Sequence, residues 1–488
     1  MNSFFVFKKL NANYIYIRED SHYTDDLKKR EFTWNGRRGI CLFLETIIDE
    51  EKLEKTFFSN LETDSQSEES ELKKKISATE VSEIQHINQV SNELHKGMAA
   101  VFLEEKSEAY VFDVKKTTER SVQEPENEKI VRGSHDGFVE TLMTNLQLLR
   151  RRIEVQDLVI KYHAVGTETK TRIALVYLAS IANPTIVKEV EEKVKSISID
   201  MVFSPGAIEE FLENDTISPF PQMLNTERPD RVMANLIDGR IAILTDGDPT
   251  ALVCPSSFFT FYQSPDDYNS RFLVGTFYRL LRMVSFLIAI FVPAIYIATV
   301  SFHFEVIPAD LVLPVKSSVE RIPYPPIVEA ILMELTIELI REAGIRLPSP
   351  IGQTIGIVGG LVIGDAVVQA GLVSNIMIIV VAITAIASFV VPSFEMSSAL
   401  RVIRFPFMFF AASFGYFGIM FCFTLLLIHL CRLESFGSPY FSPLAPLTWQ
   451  DLKDSVIRAP MKKMNERPKA TLPRKKFRQA IRKGRRKW

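Results

Sequence analysis

Val284–Phe302 reads VSFLIAIFVPAIYIATVSF and contains no Asp, Glu, Lys or Arg. The apolar core of a bilayer is about 30 Å thick and takes roughly 20 apolar residues in a helix, so this segment is long enough to cross it. Arg279 and Arg282 stand just before it, and cationic flanks favour the cytoplasmic side. We therefore predict a first span at about 283–303, with the preceding part of the chain in the cytoplasm.

The chain as a whole has the composition of an ordinary soluble protein. It has 488 residues, a net charge of −2 and 47% hydrophobic residues, which is enough for about three domains. Its N-terminal apolar stretch is too short for a signal peptide, and its four cysteines form no CxxC pair. We expect no disulfide framework, metal site or cofactor. The sequence also contains no nucleophile–base set, so we expect no enzyme.

One pattern occurs twice before residue 265. The first copy runs through Gly39–Glu45 to a helix start at Asp49, and the second runs through Thr171–Leu178 to Asn183. Both copies predict strand, turn, buried strand and helix, and each is followed by a predicted hairpin. We predict an α/β soluble region of two related subdomains, 1–120 and 121–265, with an acidic, Ser/Glu-rich linker near 62–83. An all-α polytopic membrane domain at 266–440 follows.

A basic helix is predicted at the start of the second subdomain. Residues 131–140 read as a loop, and residues 141–152 read as a helix that ends in three arginines. We predict that Arg132, Arg150 and Arg151 make contacts between domains or subunits. A phosphate-binding loop is the competing interpretation, but the spacing GxxxxGK[ST] is absent.

An acidic helix is predicted at 327–343. It carries Glu329, Glu334 and Glu338, and the last two share a helix face at i,i+4. Carboxylates are costly against lipid. This helix is therefore either re-entrant or interfacial, or it is a span whose acidic face lines water.

A glycine stripe marks the next predicted span, at about 350–372. Gly352, Gly356, Gly360 and Gly364 recur at every fourth position, which places them on one helix face where close helix packing is possible. Asp365 and Gln369 lie in the same segment. An ionisable residue at membrane depth is a functional-site hypothesis, so we predict that these six residues line a pore or pack helices together.

Two further spans, at about 373–393 and 406–431, precede a basic tail at 441–488. We expect the tail to bind anionic lipid rather than nucleic acid. A cytoplasmic tail requires an even number of crossings, which four spans and a re-entrant acidic helix provide. If the acidic helix crosses instead, the tail moves outside; both topologies stay open.

Several motifs resemble those of one family. They are VRGSHDGF at 131–138, NTERPDRV at 225–232, FYQSPDDY at 261–268, RLPSPIGQ at 346–353 and SFGSPY at 435–440. Together they resemble the A subunit of the GerA family of spore germination receptors, over about residues 30–460. Ser134, His135 and Asp136 depart from the family pattern. Within the second motif, Glu227, Arg228 and Asp230 are further candidates for contacts between subunits or domains.

The resemblance implies a function and partners. Such proteins work in the spore inner membrane with a transporter-like B subunit and a C lipoprotein, and the complex responds to nutrients. The resemblance also implies that A subunits form homo-oligomers and an ion-conducting pore. Two alternatives stay open: a non-conducting scaffold that couples sensor to effector, and a family paralogue associated with dipicolinate release.

Overall fold

Two five-stranded antiparallel sheets form the N-terminal half. The computed structural model describes residues 4–61, 73, 76–78, 80–116, 124–202, 204–347, 360, 362 and 364–478. The first sheet has the order β1-β2-β4-β5-β3 and the second has the order β6-β7-β9-β10-β8. The two orders are identical once the strands of each sheet are counted from its own start. The predicted pair of related α/β subdomains is therefore confirmed.

The strands of the first sheet are β1 (Leu27–Trp34), β2 (Arg37–Leu44), β3 (Val81–Ile84), β4 (Met98–Leu103) and β5 (Ala109–Asp113). Those of the second are β6 (Leu158–Val165), β7 (Thr171–Leu178), β8 (Leu224–Thr226), β9 (Ile241–Thr245) and β10 (Ala251–Cys254). β3 overlaps the linker that we predicted near 62–83, because residues 81–84 pair with β5. Most of that linker lies outside the described residues.

Helices cover both faces of each sheet. In the soluble half they are α1 (Leu10–Asp20), α2 (Ile87–Leu94), α3 (Leu142–Arg152), α4 (Pro184–Ser196), α5 (Pro205–Leu212) and α6 (Pro229–Ile237), with short helical stretches at Glu50–Leu53, Glu54–Phe58, Ser59–Leu61, Phe258–Tyr262 and Pro265–Asn269. Alternate residues of a strand face opposite sides. Ile173 and Leu175 of β7 accordingly belong to one apolar cluster, while Ala174 and Val176 belong to another that continues into the helical half.

The C-terminal half is helical. It contains α7 (Phe272–Phe302), α8 (Ala309–Val319), α9 (Pro326–Arg346), α10 (Asn375–Phe389) and α11 (Phe394–Arg432), followed by short turns at Leu452–Ser455, Met461–Lys463 and Lys469–Thr471 and a two-residue strand pair, Glu434–Ser435 with Ser438–Pro439. The predicted fold class, an α/β soluble region followed by a helical half, is confirmed.

α11 reverses direction at Gly415. The rings of Phe410 and Phe421 are 5.6 Å apart, whereas 11 residues of straight helix would separate them by about 16 Å. Phe407 and Phe423 both pack against Phe291 of α7, at 5.2 and 5.4 Å. α11 therefore consists of two antiparallel arms, 394–414 and 416–432, in place of the single helix that we predicted at 406–431.

Glycine is required at this reversal. Gly415 has φ 59° and ψ −142°, a region of backbone conformation that is almost closed to residues with a side chain. A Cβ at Gly415 would also lie 2.9 Å from Nε2 of His303, at the C-terminus of α7. We call the helices of the C-terminal half the helix group. Its far end is the end that contains Gly415 and His303, and its near end is the end beside the second subdomain.

The C-terminal segment folds back onto the second subdomain. Arg467 donates from Nε to the carbonyl oxygen of Ile237 at 2.6 Å. Arg478 pairs with Asp238, with Nη2 2.7 Å from Oδ1. Residues 441–478 are thus held at the near end by protein contacts, and residues 479–488 of the predicted basic tail lie outside the described part of the chain.

Candidate functional site

A buried ion pair joins the two subdomains. Arg150 of α3 donates from Nη2 to Oδ1 of Asp26 at 2.9 Å and from Nε to Oδ2 at 3.1 Å. Both side chains are at most 1% exposed. Thr24 and Thr46 donate their hydroxyls to the same carboxylate at 2.5 and 2.7 Å. Burial raises the pKa of Asp26, but Arg150 and these hydrogen bonds outweigh it and leave the pKa below its ordinary value.

The other two basic candidates of this region are exposed. The backbone carbonyl of Arg132 accepts a hydrogen bond from Asn269, and its side chain faces solvent. Arg151 is exposed on α3. The structure places Arg150 between the subdomains; contacts of Arg132 and Arg151 with a partner chain stay a prediction.

The segment NTERPDRV holds the loop before α3 in place. Arg228 is fully buried and donates from Nη2 to Oδ2 of Asp230 at 2.8 Å and to the carbonyl oxygen of Ser134 at 2.7 Å. Glu227 accepts the backbone N–H of Glu126 at 2.8 Å. These contacts lie within the second subdomain, so they give Glu227, Arg228 and Asp230 a folding role.

The acidic helix α9 pairs with two arginines of α11. Glu334 forms an ion pair with Arg404, and the two side chains are 3% and 4% exposed. One helical turn further on, Glu338 lies 3.2 Å from Nε of Arg401. We call these four residues the charge ladder. The predicted spans at 373–393 and 406–431 leave both arginines in the connector between them, yet their i,i+3 spacing is the signal that one helix face carries them.

Glu329 of the same helix is buried, and no cationic side chain pairs with it among the described residues. Its Oε1 accepts the backbone N–H and the hydroxyl of Ser374, both at 2.5 Å. The hydroxyl of Tyr296 lies 3.1 Å from that of Ser374. Arg341, in contrast, lies over the rings of Phe389 and Phe394 at the near end. α9 therefore runs from the far half of the group to its near end, antiparallel to α7.

The glycine stripe is partly described. Gly352 and Gly356 lie outside the described residues, and a Cβ added at Gly360 or Gly364 would meet nothing within 4 Å. Asp365 and Gln369 are exposed and joined by a 2.6 Å hydrogen bond. This face is thus open in the single chain, as far as the described residues show.

A second charged network, which sequence reasoning missed, fixes α7 at the near end. Asp267 and Arg279 are fully buried, and Asp267 binds Nε of Arg279 at 3.3 Å and Nη1 of Arg282 at 2.8 Å. Arg279 also binds Asp454 of the C-terminal segment at 3.2 Å. The motif FYQSPDDY supplies Asp267, so the network ties that motif, the start of α7 and the tail together.

Among the described residues, two helices are long and apolar enough to cross a membrane, Phe272–Phe302 and Phe394–Arg432. No group of three or more His, Cys, Asp or Glu side chains in that part of the chain is arranged to hold a metal ion. Two α/β units joined to a helical half that contains two apolar helices of membrane-spanning length form the architecture of a membrane-associated protein.

The comparisons with known proteins agree with this class. The family profile described as Bacillus/Clostridium GerA spore germination protein matches residues 15–470. The chain is 40% identical to spore germination protein A1 of Bacillus subtilis, over 90% of this chain and 91% of that protein. It is 46% identical to spore germination protein B1 of the same organism, over 75% and 76%. The chain therefore belongs to the GerA family of spore germination proteins, with A-type subunits as its relatives.

Other matches include an uncharacterized protein and a solved structure. The uncharacterized membrane protein YfkQ of Bacillus subtilis is 40% identical, over 91% of this chain and 87% of that protein. A crystal structure of the N-terminal domain of the A subunit of the Bacillus megaterium spore germinant receptor GerK3 is 28% identical, with a TM-score of 0.42, and covers 53% of this chain and 99% of that domain.

Proposed function

We propose that this chain is the A subunit of a nutrient-germinant receptor in the spore inner membrane. It acts with a transporter-like B subunit and a lipoprotein C subunit, and it forms an oligomeric, ligand-gated ion channel with its soluble half in the spore core. The match to the GerA family over residues 15–470 carries the receptor role. The differential binding of a nutrient to two states of the complex would shift a closed–open equilibrium.

The charge distribution in the helical half supports Asp365 as a pore residue. Glu334 is buried in its ion pair with Arg404, so it is not free to line water, and Glu338 is paired with Arg401. Asp365 and Gln369 are exposed beside Gly364, where a second copy can approach closely. Polar rings of this kind, one from each copy, set ion selectivity in channels.

Replacing Asp365 with Asn in purified, reconstituted oligomers tests the pore. We expect altered cation release and selectivity, because each subunit then contributes a neutral group to the ring. Glu342→Gln is the matched control, since Glu342 is exposed in the same helical half and pairs with Arg346; it should conduct like the wild type. Unchanged conduction in Asp365→Asn would remove this residue, and an oligomer that never conducts would favour the scaffold.

We also propose six crossings. α7, α9, the predicted span at about 350–372, α10 and the two arms of α11 then alternate between the near and far ends, and an even number returns the tail to the side of the soluble half. Most of the predicted span at 350–372 lies outside the described residues. The contacts of Arg467 and Arg478 with the second subdomain support this sidedness. The proposal replaces the four-crossing topology, because the reversal at Gly415 adds a crossing and α9 another.

Single cysteines test the topology. Glu320 and Phe417 belong to the far end and are exposed, so Glu320→Cys and Phe417→Cys, in a Cys431→Ser background, should react with an impermeant maleimide from the same side. Gln450→Cys should react from the opposite side. If 406–431 were one span, Phe417 would lie in the bilayer core and would react from neither side.

A gene neighbourhood separates the receptor from the paralogue. Adjacent reading frames for a B-type transporter and a lipoprotein favour the receptor, and their absence favours the association with dipicolinate release.

A further inference from the structure

Three large apolar side chains are exposed on the loop that follows the helical half. Leu444, Leu447 and Trp449 are 41%, 52% and 75% exposed. Two backbone hydrogen bonds fix the loop: the N–H of Thr448 bonds to the carbonyl oxygen of Pro443 at 2.9 Å, and the N–H of Leu444 bonds to that of Phe441 at 3.0 Å. Apolar side chains that a fixed loop presents together indicate an interaction surface.

The loop lies at the depth where the apolar part of α7 begins. Phe441, directly before it, stacks against Phe259 at 5.8 Å and meets Phe258 at 5.5 Å. Phe258 in turn contacts Phe286, which lies in the first turn of the uncharged part of α7 (284–302), at 5.4 Å. Leu447 and Trp449 therefore leave the protein at the level where α7 enters the proposed bilayer.

The other end of this segment is held against α7 as well. The carbonyl oxygen of Arg458 accepts the hydroxyl of Thr276 at 3.1 Å, and the carbonyl oxygen of Asp454 accepts Nη1 of Arg279. On α7 itself, Phe277 and Val284 are 62% and 50% exposed. An apolar face of the helix thus continues beside the loop.

Three lysines next to the loop carry its positive charge, whereas the nearby Asp451 and Asp454 accept hydrogen bonds from other parts of the chain. Lys453, Lys462 and Lys463 are exposed, and none forms an ion pair with an acidic side chain among residues that the structure describes. Tryptophan is enriched at membrane–water interfaces, and basic residues near a membrane are attracted to anionic headgroups. The combination fits a lipid surface better than a protein partner.

We propose that the loop 443–449 and these three lysines form a lipid-interface anchor on the side of the soluble half, with anionic phospholipid as the partner. Trp449 and Leu447 lie in the headgroup layer, and the lysines contact the phosphates. The anchor rests on the proposed placement of the helical half in a bilayer. It narrows the lipid contact, which the sequence predicted for the whole tail at 441–488, to the segment at 443–463.

Tryptophan fluorescence tests the anchor in the full-length protein. The chain has three tryptophans, and Trp34 is buried in the first subdomain at 4% exposure. The variant Trp488→Phe retains Trp34 and Trp449, and the matched variant Trp449→Phe/Trp488→Phe retains Trp34 alone. Both are reconstituted singly into nanodiscs of phosphatidylcholine and phosphatidylglycerol, with or without bromine on the upper acyl chain.

The difference in emission between the two variants reports Trp449. We expect brominated lipid to reduce this difference by at least twofold and to leave the emission of Trp34 unchanged. Changing the three lysines to Gln should remove the dependence of this quenching on phosphatidylglycerol. Trp449 emission that is water-like and unquenched in incorporated protein would overturn the anchor alone. Failure of the chain to incorporate would instead count against the membrane placement. Quenching that is the same without anionic lipid would overturn the anionic partner.

Discussion

Removing one partner of the pair between Arg150 and Asp26 should strongly destabilise the soluble half. Arg150→Met leaves the carboxylate of Asp26 buried, at 0% exposure, with two threonine hydroxyls as its side-chain hydrogen-bond donors. Breaking a buried ion pair in this way costs about 3–5 kcal/mol. At roughly 2–4 °C per kcal/mol for a unit of this size, the melting temperature should fall by about 6–20 °C.

Thermal unfolding of the full-length protein in detergent measures this effect. Trp34, at the end of β1 and 4% exposed, reports the first subdomain when Trp449 and Trp488 are replaced by Phe. Arg152→Met is the matched control on the same helix, since Arg152 pairs with Asp136 and the two side chains are 20% and 50% exposed. Exposed pairs contribute about 0–1 kcal/mol, so its melting temperature should change little.

The double variant Asp26→Asn/Arg150→Met decides whether the lone charge is the cause. It removes the unpaired carboxylate, so it should be more stable than Arg150→Met alone. A double variant whose loss equals the sum of the two single losses would refute the reasoning, because independent sites add to within about 0.5 kcal/mol. The pH dependence has the same origin. Because the pKa of Asp26 is depressed, the contribution of its carboxylate to folding stability is present at pH values above the ordinary pKa of aspartate. That contribution is lost as the pH falls below this pKa.

Three further predictions concern other contacts. Gly415→Ala should lower the melting temperature of the helical half, because the left-handed backbone at this reversal costs about 1–3 kcal/mol for a residue with a side chain, and circular dichroism at 222 nm would measure it. Arg404→Met should destabilise the same half by about 3–5 kcal/mol because Glu334 is left buried and unpaired, and Glu334→Gln in addition should restore part of the loss in the same melt. Burial raises the pKa of Glu209 from 4.5 to about 9, with Glu395 and Glu213 adding to it. The folded state therefore keeps a proton that the unfolded chain releases, so stability should fall as the pH rises from about 5 to 9, and Glu209→Gln should flatten this dependence in melts at several pH values.

Each of these has a control or a contrary outcome. Gly206→Ala has ordinary helical geometry with its nearest atom at 3.6 Å, so it should be nearly neutral. An unchanged melt of Gly415→Ala would show that α11 does not reverse there. Equal stability of Arg404→Met and wild type would mean that the charge ladder reaches water. A pH profile of Glu209→Gln that matches the wild type would assign the dependence to another group.

Local patterns predicted the elements of the soluble half. The apolar run within Thr171–Leu178 and the start signal Asn183-Pro184 match β7 and α4, where Asn183 accepts the N–H of Thr185 at 3.0 Å. The duplication was visible because each subdomain repeats the same order of local signals. The long stretch without charged residues distinguished α7, as a predicted membrane span, from these strands.

The partners of the charged residues were not predictable in this way. Glu334 and Arg404 lie 70 residues apart in the chain, and Asp26 and Arg150 lie 124 apart. Their neighbours in sequence contain no sign of the pairing, since a buried charge selects its partner through packing in three dimensions. The reversal at Gly415 was missed because a glycine within an apolar run is also typical of close helix packing.

The sequence by itself determined the apolar length of the first span, the duplicated α/β units and the motifs of the GerA family, because each of these is a local pattern or a recurring string of residues. Only the tertiary structure decided which carboxylate faces which arginine, that α9 runs the depth of the helix group, and that the C-terminal segment returns to the second subdomain. The physical reason is that burial makes an unpaired charge costly, so the fold brings distant opposite charges together wherever packing excludes water.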